Sequence, residues 1–175
     1  MSKYDYRKAV WVKWLVTAPN VRIGYGEDAH KLVIDRSLVI GGVSISESPR
    51  GCEAHSDGDV LLHALSDALL AAFALGDIGS YFPPSNPDFK DMNSHLILRK
   101  VLELLSPYNA KIINLALVVT LDTPKLGSYR KDIQEQLAEL LNLEKENIGI
   151  GFKTSEGLAP DHIQARVTVL LSTNT

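Results

Sequence analysis

AHSDGDVLLHALSDALLAAFAL, residues 54–75, decides the fold, because it sets polar and metal-capable side chains into the first turns of an otherwise apolar helix. Ser56 followed three residues on by Asp59 predicts a capping box opening that helix, with free backbone N–H groups and the positive end of the dipole beside His55 and Ser56. Such an end is a ready anion site. At helical spacing Asp59, His63, Ser66 and Asp67 share one face, while Leu61, Leu62, Leu65, Leu69 and Leu70 cover the rest. A solvated surface would account for a polar stripe on an ordinary helix. This helix is too apolar to be fully wet, so the stripe predicts a site.

Length and composition bound the surroundings of that helix. With 175 residues, 45% hydrophobic and 22% charged, the chain can bury a core of its own without staples, and it reads as one domain over residues 21–175. Residues 1–20 precede it as an N-terminal arm in which Trp11, Val12 and Trp14 pack in extended form and Pro19 ends the segment. A formal charge of −3 and no block of Lys or Arg argue against nucleic acid and anionic membranes as partners. An anionic substrate must therefore be held by specific groups and a metal. The one cysteine, Cys52, excludes an intramolecular disulfide, fits a reducing compartment and reads as a packing residue. No window of ~18 apolar residues predicts a membrane span, and the N-terminus lacks the pattern of a signal peptide.

Upstream of the helix, Val21–His30 reads as a strand, and alternation puts Asp28 and His30 on one side of it. An oxygen and a nitrogen two residues apart can share one metal, and His63 completes a three-ligand set. An isolated Asp-x-His is common by chance. Leu32–Ile45 predicts a hairpin turned at Gly41-Gly42, and SESPRGCEA a loop leading to the helix. Downstream, Gly76-Asp77-Ile78-Gly79 is either a turn where a ligand meets the backbone or a plain helix stop. Phe82–Pro87 is a stiff loop. Asn93–Leu105 predicts a helix with Leu96, Val101, Leu104 and Leu105 toward the core, Lys111–Leu121 a long buried strand, and Tyr129–Leu141 a third helix. Asn147–Ser155 and Ile163–Ser172 close the chain as strands. The order implies an α+β fold: a single mixed sheet with helices packed on one face. Strands as apolar as VVTL and VTVLL predict that the second face is buried against other copies of the chain.

GYGEDAH, AHSDGDVLLHALSDALL, GDIG followed by FP, TPKL and FKTSEGL occur in this order, and with them the chain resembles the 2-C-methyl-D-erythritol 2,4-cyclodiphosphate synthase family of the non-mevalonate isoprenoid pathway. The match runs from about Arg22 to the C-terminus, and AHSDGD with a histidine four residues later is its most specific part. The resemblance implies a homotrimer with its sheets facing the threefold axis and active sites between neighbours. It implies a cyclase that converts 4-CDP-2-C-methyl-D-erythritol 2-phosphate to the cyclic diphosphate and CMP. Asp28, His30 and His63 would be zinc ligands, and Glu156 would bind a second divalent ion, Mg or Mn. His55 and Ser56 fall where the family binds phosphate and methylerythritol, and Asp77, Ile78 and Gly79 where it binds ribose. Pro124, Lys125, Leu126 and Gly127 match the cytosine turn. Thr154 matches the position that stabilises the transition state with His55, flanked by Ser155, and Lys125 adds charge. In the helix, Asp59 or Asp67 is a candidate acceptor orienting His63.

The chain departs from the family pattern at Pro84, at Lys153 and in the short turn Leu158–His162. Pro84 and the shortened turn motivate one competing reading, a non-catalytic trimeric zinc and nucleotide-binding paralogue; a second is a metal-dependent phosphohydrolase on a similar site, with water in place of the internal phosphate. The compartment implied is the bacterial cytoplasm, or the plastid stroma if a transit peptide was removed.

Overall fold

The computed structural model describes residues 20–89 and 92–173. The arm expected from Trp11, Val12 and Trp14 lies outside them, except for Asn20, which already belongs to a strand. The strands are β1 Asn20–Ile34, β2 Val39–Ile40, β3 Val43–Ser44, β4 Arg50–Cys52, β5 Ala110–Leu121, β6 Ile148–Lys153 and β7 His162–Thr173. The helices are α1 Val60–Ala71, α2 Ile78–Tyr81, α3 Ser94–Leu105 and α4 Arg130–Leu141. Five strands form one mixed sheet in the order β4-β1-β7-β5-β6. Only β5 and β6 pair in parallel. The α+β class and mixed sheet expected from the sequence are observed, with β2 and β3 forming a separate two-stranded sheet in place of one single sheet.

Alternation builds the core. In β7, Ile163, Ala165, Val167, Val169 and Leu171 are buried beneath α1, and Arg166 and Thr168 are exposed on the other side. Along β1 the even positions Gly24 and Gly26 lie directly under α1, because a Cβ there would stand 1.8 Å from the carbonyl oxygen of Ala68 and 2.2 Å from that of Ala64. No residue but glycine fits under those carbonyls. The next even positions on the same strand are Asp28 and His30.

Helix α1 starts later than the sequence suggests. Its N-cap is Asp59, not Ser56. Gly58 adopts a φ of 72 and turns the chain before the helix begins, while the Ser56 hydroxyl accepts the Gly58 amide instead of an amide in the helix. The Asp59 carboxylate is fully buried and accepts four amides: Leu61 and Leu62 at 3.1 Å, Gly41 at 2.8 Å and Gly42 at 2.6 Å. One side chain thus caps α1 and clamps the β2–β3 hairpin to it. The first helical amides are consequently occupied by this carboxylate and do not form the free anion site expected beside His55 and Ser56.

Three smaller expectations also change. The Lys111–Leu121 strand is buried on one face only in the single chain, since Lys111, Ile113, Asn114 and Ala116 are exposed. Helix α3, capped by Asn93, turns Ile97, Leu98, Val101 and Leu105 inward and leaves Leu96 48% exposed. The loop before α1 contains β4, which pairs Cys52 with Leu32. Burial pushes the Cys52 thiol up to about 12, in keeping with an inert packing residue. Among the described residues no helix is long and apolar enough to cross a membrane.

The second face of the sheet carries Val21, Ile23 and Tyr25 at 52%, 69% and 52% exposure. Cross-strand registers extend this surface, with Ile23 opposite Leu170 and Tyr25 opposite Thr168.

The close approach of β1 to α1 predicts that Gly26→Ala, which must push the helix away, destabilises the fold by about 1–3 kcal/mol. Denaturant unfolding against the parent chain measures it.

Candidate active site

Three donor atoms converge where β1 leaves the shelter of α1. Asp28 Oδ2 lies 2.9 Å from His30 Nε2 and 2.8 Å from His63 Nδ1, and the two ring nitrogens are 3.4 Å apart. Alternation along β1 brings Asp28 and His30 to one side, and His63, one turn into α1, descends on them from above. A tetrahedral ion with bonds of about 2.0–2.1 Å spaces its ligands by about 3.3 Å, so two nitrogens and a carboxylate oxygen so close together fit a cation of that kind. Burial works to raise the Asp28 carboxyl, yet the hydrogen bonds from His30 and His63 hold it well below the usual carboxylate range. Burial works to lower the His63 pKa, but the hydrogen bond and charge of Asp28 prevail and raise it. The carboxylate therefore stays ionised, the state in which it can ligate.

The far side of His63 is also tied. Its Nε2 lies 2.9 Å from the hydroxyl of Ser94 and 3.1 Å from that of Ser56. Ser94, fully buried, donates its hydroxyl proton to Asp57 and its backbone N–H to the same carboxylate at 2.9 Å. Neither Asp59 nor Asp67 orients His63, contrary to the expectation from helical spacing. Asp59 is taken by the four amides, and Asp67 accepts the Ile78 amide at 2.7 Å, fixing the turn after α1. Asp57 and Ser94 went unnoticed in the sequence because 37 residues separate them. The solvated-surface reading of the stripe fails, since Asp59, His63 and Ser66 are all buried.

The expected site residues divide between two cavities. The first, of about 330 Å³, is lined by Asp28, His30, His55, Ser56, His63, Ile78 and Gly79, and is walled by Phe82, Pro84, Phe89 and Met92. The second, of about 320 Å³, is lined by Lys125, Leu126, Gly127, Thr154 and Glu156, together with Lys153 and Phe152. No lining residue is common to both. Asp77, Pro124 and Ser155 line neither. Asp77 caps α2 through Ser80, and Ser155 turns its hydroxyl to Asp122 at 2.7 Å.

At the second cavity Glu156 is exposed and accepts the Thr154 hydroxyl. Its φ of 56 is the left-handed conformation that a glutamate seldom adopts, a strain that clusters at functional positions. The turn is held by Asp122, which accepts the amides of Ser155 at 2.6 Å and Gly157 at 3.2 Å. Those bonds hold the Asp122 carboxyl below its ordinary pKa, with the Ser155 hydroxyl contributing most. Among the described residues, Asp28, His30 and His63 form the only cluster of three or more His, Cys, Asp or Glu placed to share an ion.

Comparison with known proteins gives the same answer along the whole domain. The family model for the YgbB family matches residues 21–172. A 2-C-methyl-D-erythritol 2,4-cyclodiphosphate synthase of Thermus thermophilus is 52% identical over 151 residues, covering 86% of this chain and 99% of the relative. The synthase of Deinococcus radiodurans is 57% identical over 150 residues, covering 86% and 93%. A solved structure of a synthase of this name in its CDP-bound form superposes with a TM-score of 0.82 at 50% identity, over 86% of this chain and all of that one. The similarity thus spans essentially the full length of each relative, both cavities included.

The tie from Asp122 to the 155–157 turn predicts that Asp122→Ala leaves the fold intact but frees the turn. Trypsin should then cut after Lys153 several-fold faster, read by mass spectrometry of the native protein.

Proposed function

The chain belongs to the YgbB family, and on that premise we propose that it closes 4-CDP-2-C-methyl-D-erythritol 2-phosphate to 2-C-methyl-D-erythritol 2,4-cyclodiphosphate with release of CMP. The observation that carries this reading is the convergence of Asp28, His30 and His63 on the floor of a cavity that His55 and Ser56 also line. We assign zinc to that triad, three N/O ligands with an open position being the catalytic pattern. When bound, it supplies Lewis-acid polarisation of a phosphate oxygen and neutralises charge. Glu156 is the proposed protein ligand of a second ion, Mg or Mn, which commonly takes one or two carboxylates and completes its shell with substrate phosphate and water.

The reaction forms a bond from an oxygen of the 2-phosphate to the β-phosphorus of the CDP group. The bond from that phosphorus to the bridging oxygen breaks, and CMP leaves with the electron pair. The attacking phosphate is already an anion, so the residues need not include a strong general base; the difficulty is to bring two anions together in line. His55 and Ser56, beside the metal cluster, are placed to hold the phosphate and methylerythritol end. Ile78 and Gly79 offer backbone to the ribose, a turn that Asp67 and Asp77 keep in shape. The cytosine end suits the second cavity, where the Pro124–Gly127 turn, cradling through its backbone, meets Lys125. Thr154 and Lys125 are positioned to counter charge on the departing CMP, and Ser155 supports Thr154 through Asp122.

The split between cavities supports sites assembled between chains. In the sheet order, β7 and β5 stand between β1, which carries Asp28 and His30, and β6, which leads to Thr154, so the two halves lie about 14 Å apart in one chain. A homotrimer with its sheets around the threefold axis would cover Val21, Ile23 and Tyr25 and bring one chain's metal cavity to a neighbour's Lys125 cavity. The bacterial relatives favour the cytoplasm over a plastid stroma.

Incubation with the CDP-methylerythritol 2-phosphate, followed by phosphorus NMR, should give the cyclic diphosphate and CMP. Inorganic phosphate would indicate a hydrolase instead, and unchanged substrate a binding protein. Elemental analysis should find about one zinc per chain, lost together with turnover in His63→Ala. Mixing the two inactive chains His30→Ala and Lys125→Ala should restore part of the activity, because some mixed trimers pair an intact half from each; co-purification through an affinity tag carried by one of the two chains checks that mixed trimers form.

A further inference from the structure

The pair Asp57–Ser94 stands outside every role given so far. The Asp57 carboxylate accepts both the backbone N–H and the hydroxyl of Ser94, and also the Asp59 amide at 3.2 Å. A serine hydroxyl has one proton, and an ionised carboxylate can only accept. With that proton directed at Asp57, the Ser94 oxygen can only accept from His63 Nε2, 2.9 Å away. The other orientation, with the proton toward His63, would leave two oxygens in close contact with no hydrogen between them. Ser56 accepts the Gly58 amide at 3.1 Å and presents its oxygen to the same Nε2. The Ser94 bond thus asks for a proton on Nε2, and once an ion takes the place of the Nδ1 proton shared with Asp28, Nδ1 is the ring atom left to ligate beside Asp28 and His30.

We infer that Asp57 and Ser94 are positioning residues: a carboxylate–hydroxyl relay that holds His63 in its Nε2–H tautomer, so that Nδ1 faces the metal as a ready ligand. The inference rests on the metal-centre reading above. Because Ser94 is the first residue of α3 and the Asp57 amide donates to the Met92 carbonyl at 3.1 Å, the relay also ties the wall of the first cavity to the metal ligand. Metal-ligating histidines held through such outer partners lose about 10- to 100-fold in metal affinity when the partner is removed.

The test uses the full chain and zinc alone, with affinity measured by competition against a chromophoric chelator and the His63 ring followed by proton–nitrogen NMR. The parent chain should show a slowly exchanging Nε2–H in the zinc-loaded state. Ser94→Ala should bind zinc about 10- to 100-fold more weakly and lose that slow exchange, and Ser94→Thr, which restores the hydroxyl, should recover both. A structural role alone would not move the ring proton. Zinc affinity within twofold of the parent in folded Ser94→Ala, or an undisturbed Nε2–H, overturns the relay and leaves the metal centre standing. Absence of zinc from the parent chain overturns both readings. If Ser94→Ala does not fold, Asp57→Asn decides, since an amide polarises the hydroxyl less than a carboxylate: weakened zinc binding supports the relay, and unchanged binding overturns it.

Discussion

The contact on which the rest of the structure depends is between two backbones. Under helix α1 the strand β1 has hydrogen atoms where side chains would stand, at Gly24 and Gly26, and the helix carbonyls of Ala64 and Ala68 occupy that space. Any larger residue would have to push the helix outward, away from the hydrogen-bonded cluster of Asp28, His30 and His63. Asp28 and His30 are the next inward positions along the strand, and His63 is the residue before Ala64. The approach therefore sets the height at which His63 meets its partners, and the 2.8 Å contact with Asp28 is its consequence. Asp59 fixes the other coordinate: by binding both ends of a helix cap and a hairpin turn, it stops α1 from sliding along the strand.

Much of this was legible in the sequence where local periodicity carries the information. Asp28 and His30 share a face because strands alternate, and His63 belongs with them because a buried polar residue in so apolar a helix needs partners. The Gly41-Gly42 turn and the ends of α3, α4 and β7 follow from the same short-range rules. What escaped depends on distance in the chain. Gly58 could not be seen to break the helix start, since Ser56-x-x-Asp59 is compatible with a cap at either residue. Choosing Asp59 required the amides of Gly41 and Gly42, brought in by a hairpin that lies 17 and 18 residues upstream. Ser94 is the plainest case. A serine following an asparagine cap has no signature of its own, and only the fold puts its hydroxyl between Asp57 and His63. The family motifs marked the residues proposed to hold metal and substrate, but Asp122, which holds the Thr154–Glu156 turn, is visible only through the bonds it accepts.

The sheet and the site are linked by the same alternation. Inward positions of β1 carry two glycines and then Asp28 and His30; outward positions carry Val21, Ile23 and Tyr25, which no part of the described chain covers. A strand that supplies the proposed ligands on one face and apolar surface on the other would join chemistry to assembly in a single stretch of sequence. The second cavity stands at the opposite edge, after β6, where a neighbouring chain packed on the outer face has access. In the proposed assembly such a split has an energetic logic: the apolar outer face would be hidden only there, so the complete site would exist only in the stable form.

A catalyst for an anionic substrate, in a chain of net charge −3, carries three aspartates at the start of its central helix and along its polar stripe, and a fourth, Asp28, on the strand beneath it. The apparent contradiction resolves residue by residue. Asp59 gives its charge to four backbone amides, Asp67 to the Ile78 amide, and Asp57 to the Ser94 amide and hydroxyl and the Asp59 amide. Each is thereby turned inward and used to hold backbone or side chain in place, at short range where the interior strengthens hydrogen bonds to charged groups. Only Asp28 directs its charge at the cavity, and there it meets two imidazoles on one oxygen. With a divalent cation in place of the shared protons, that corner becomes positive, one carboxylate against two charges. These aspartates thus do not oppose the phosphate; they build the frame that would let the proposed cation at Asp28 face it.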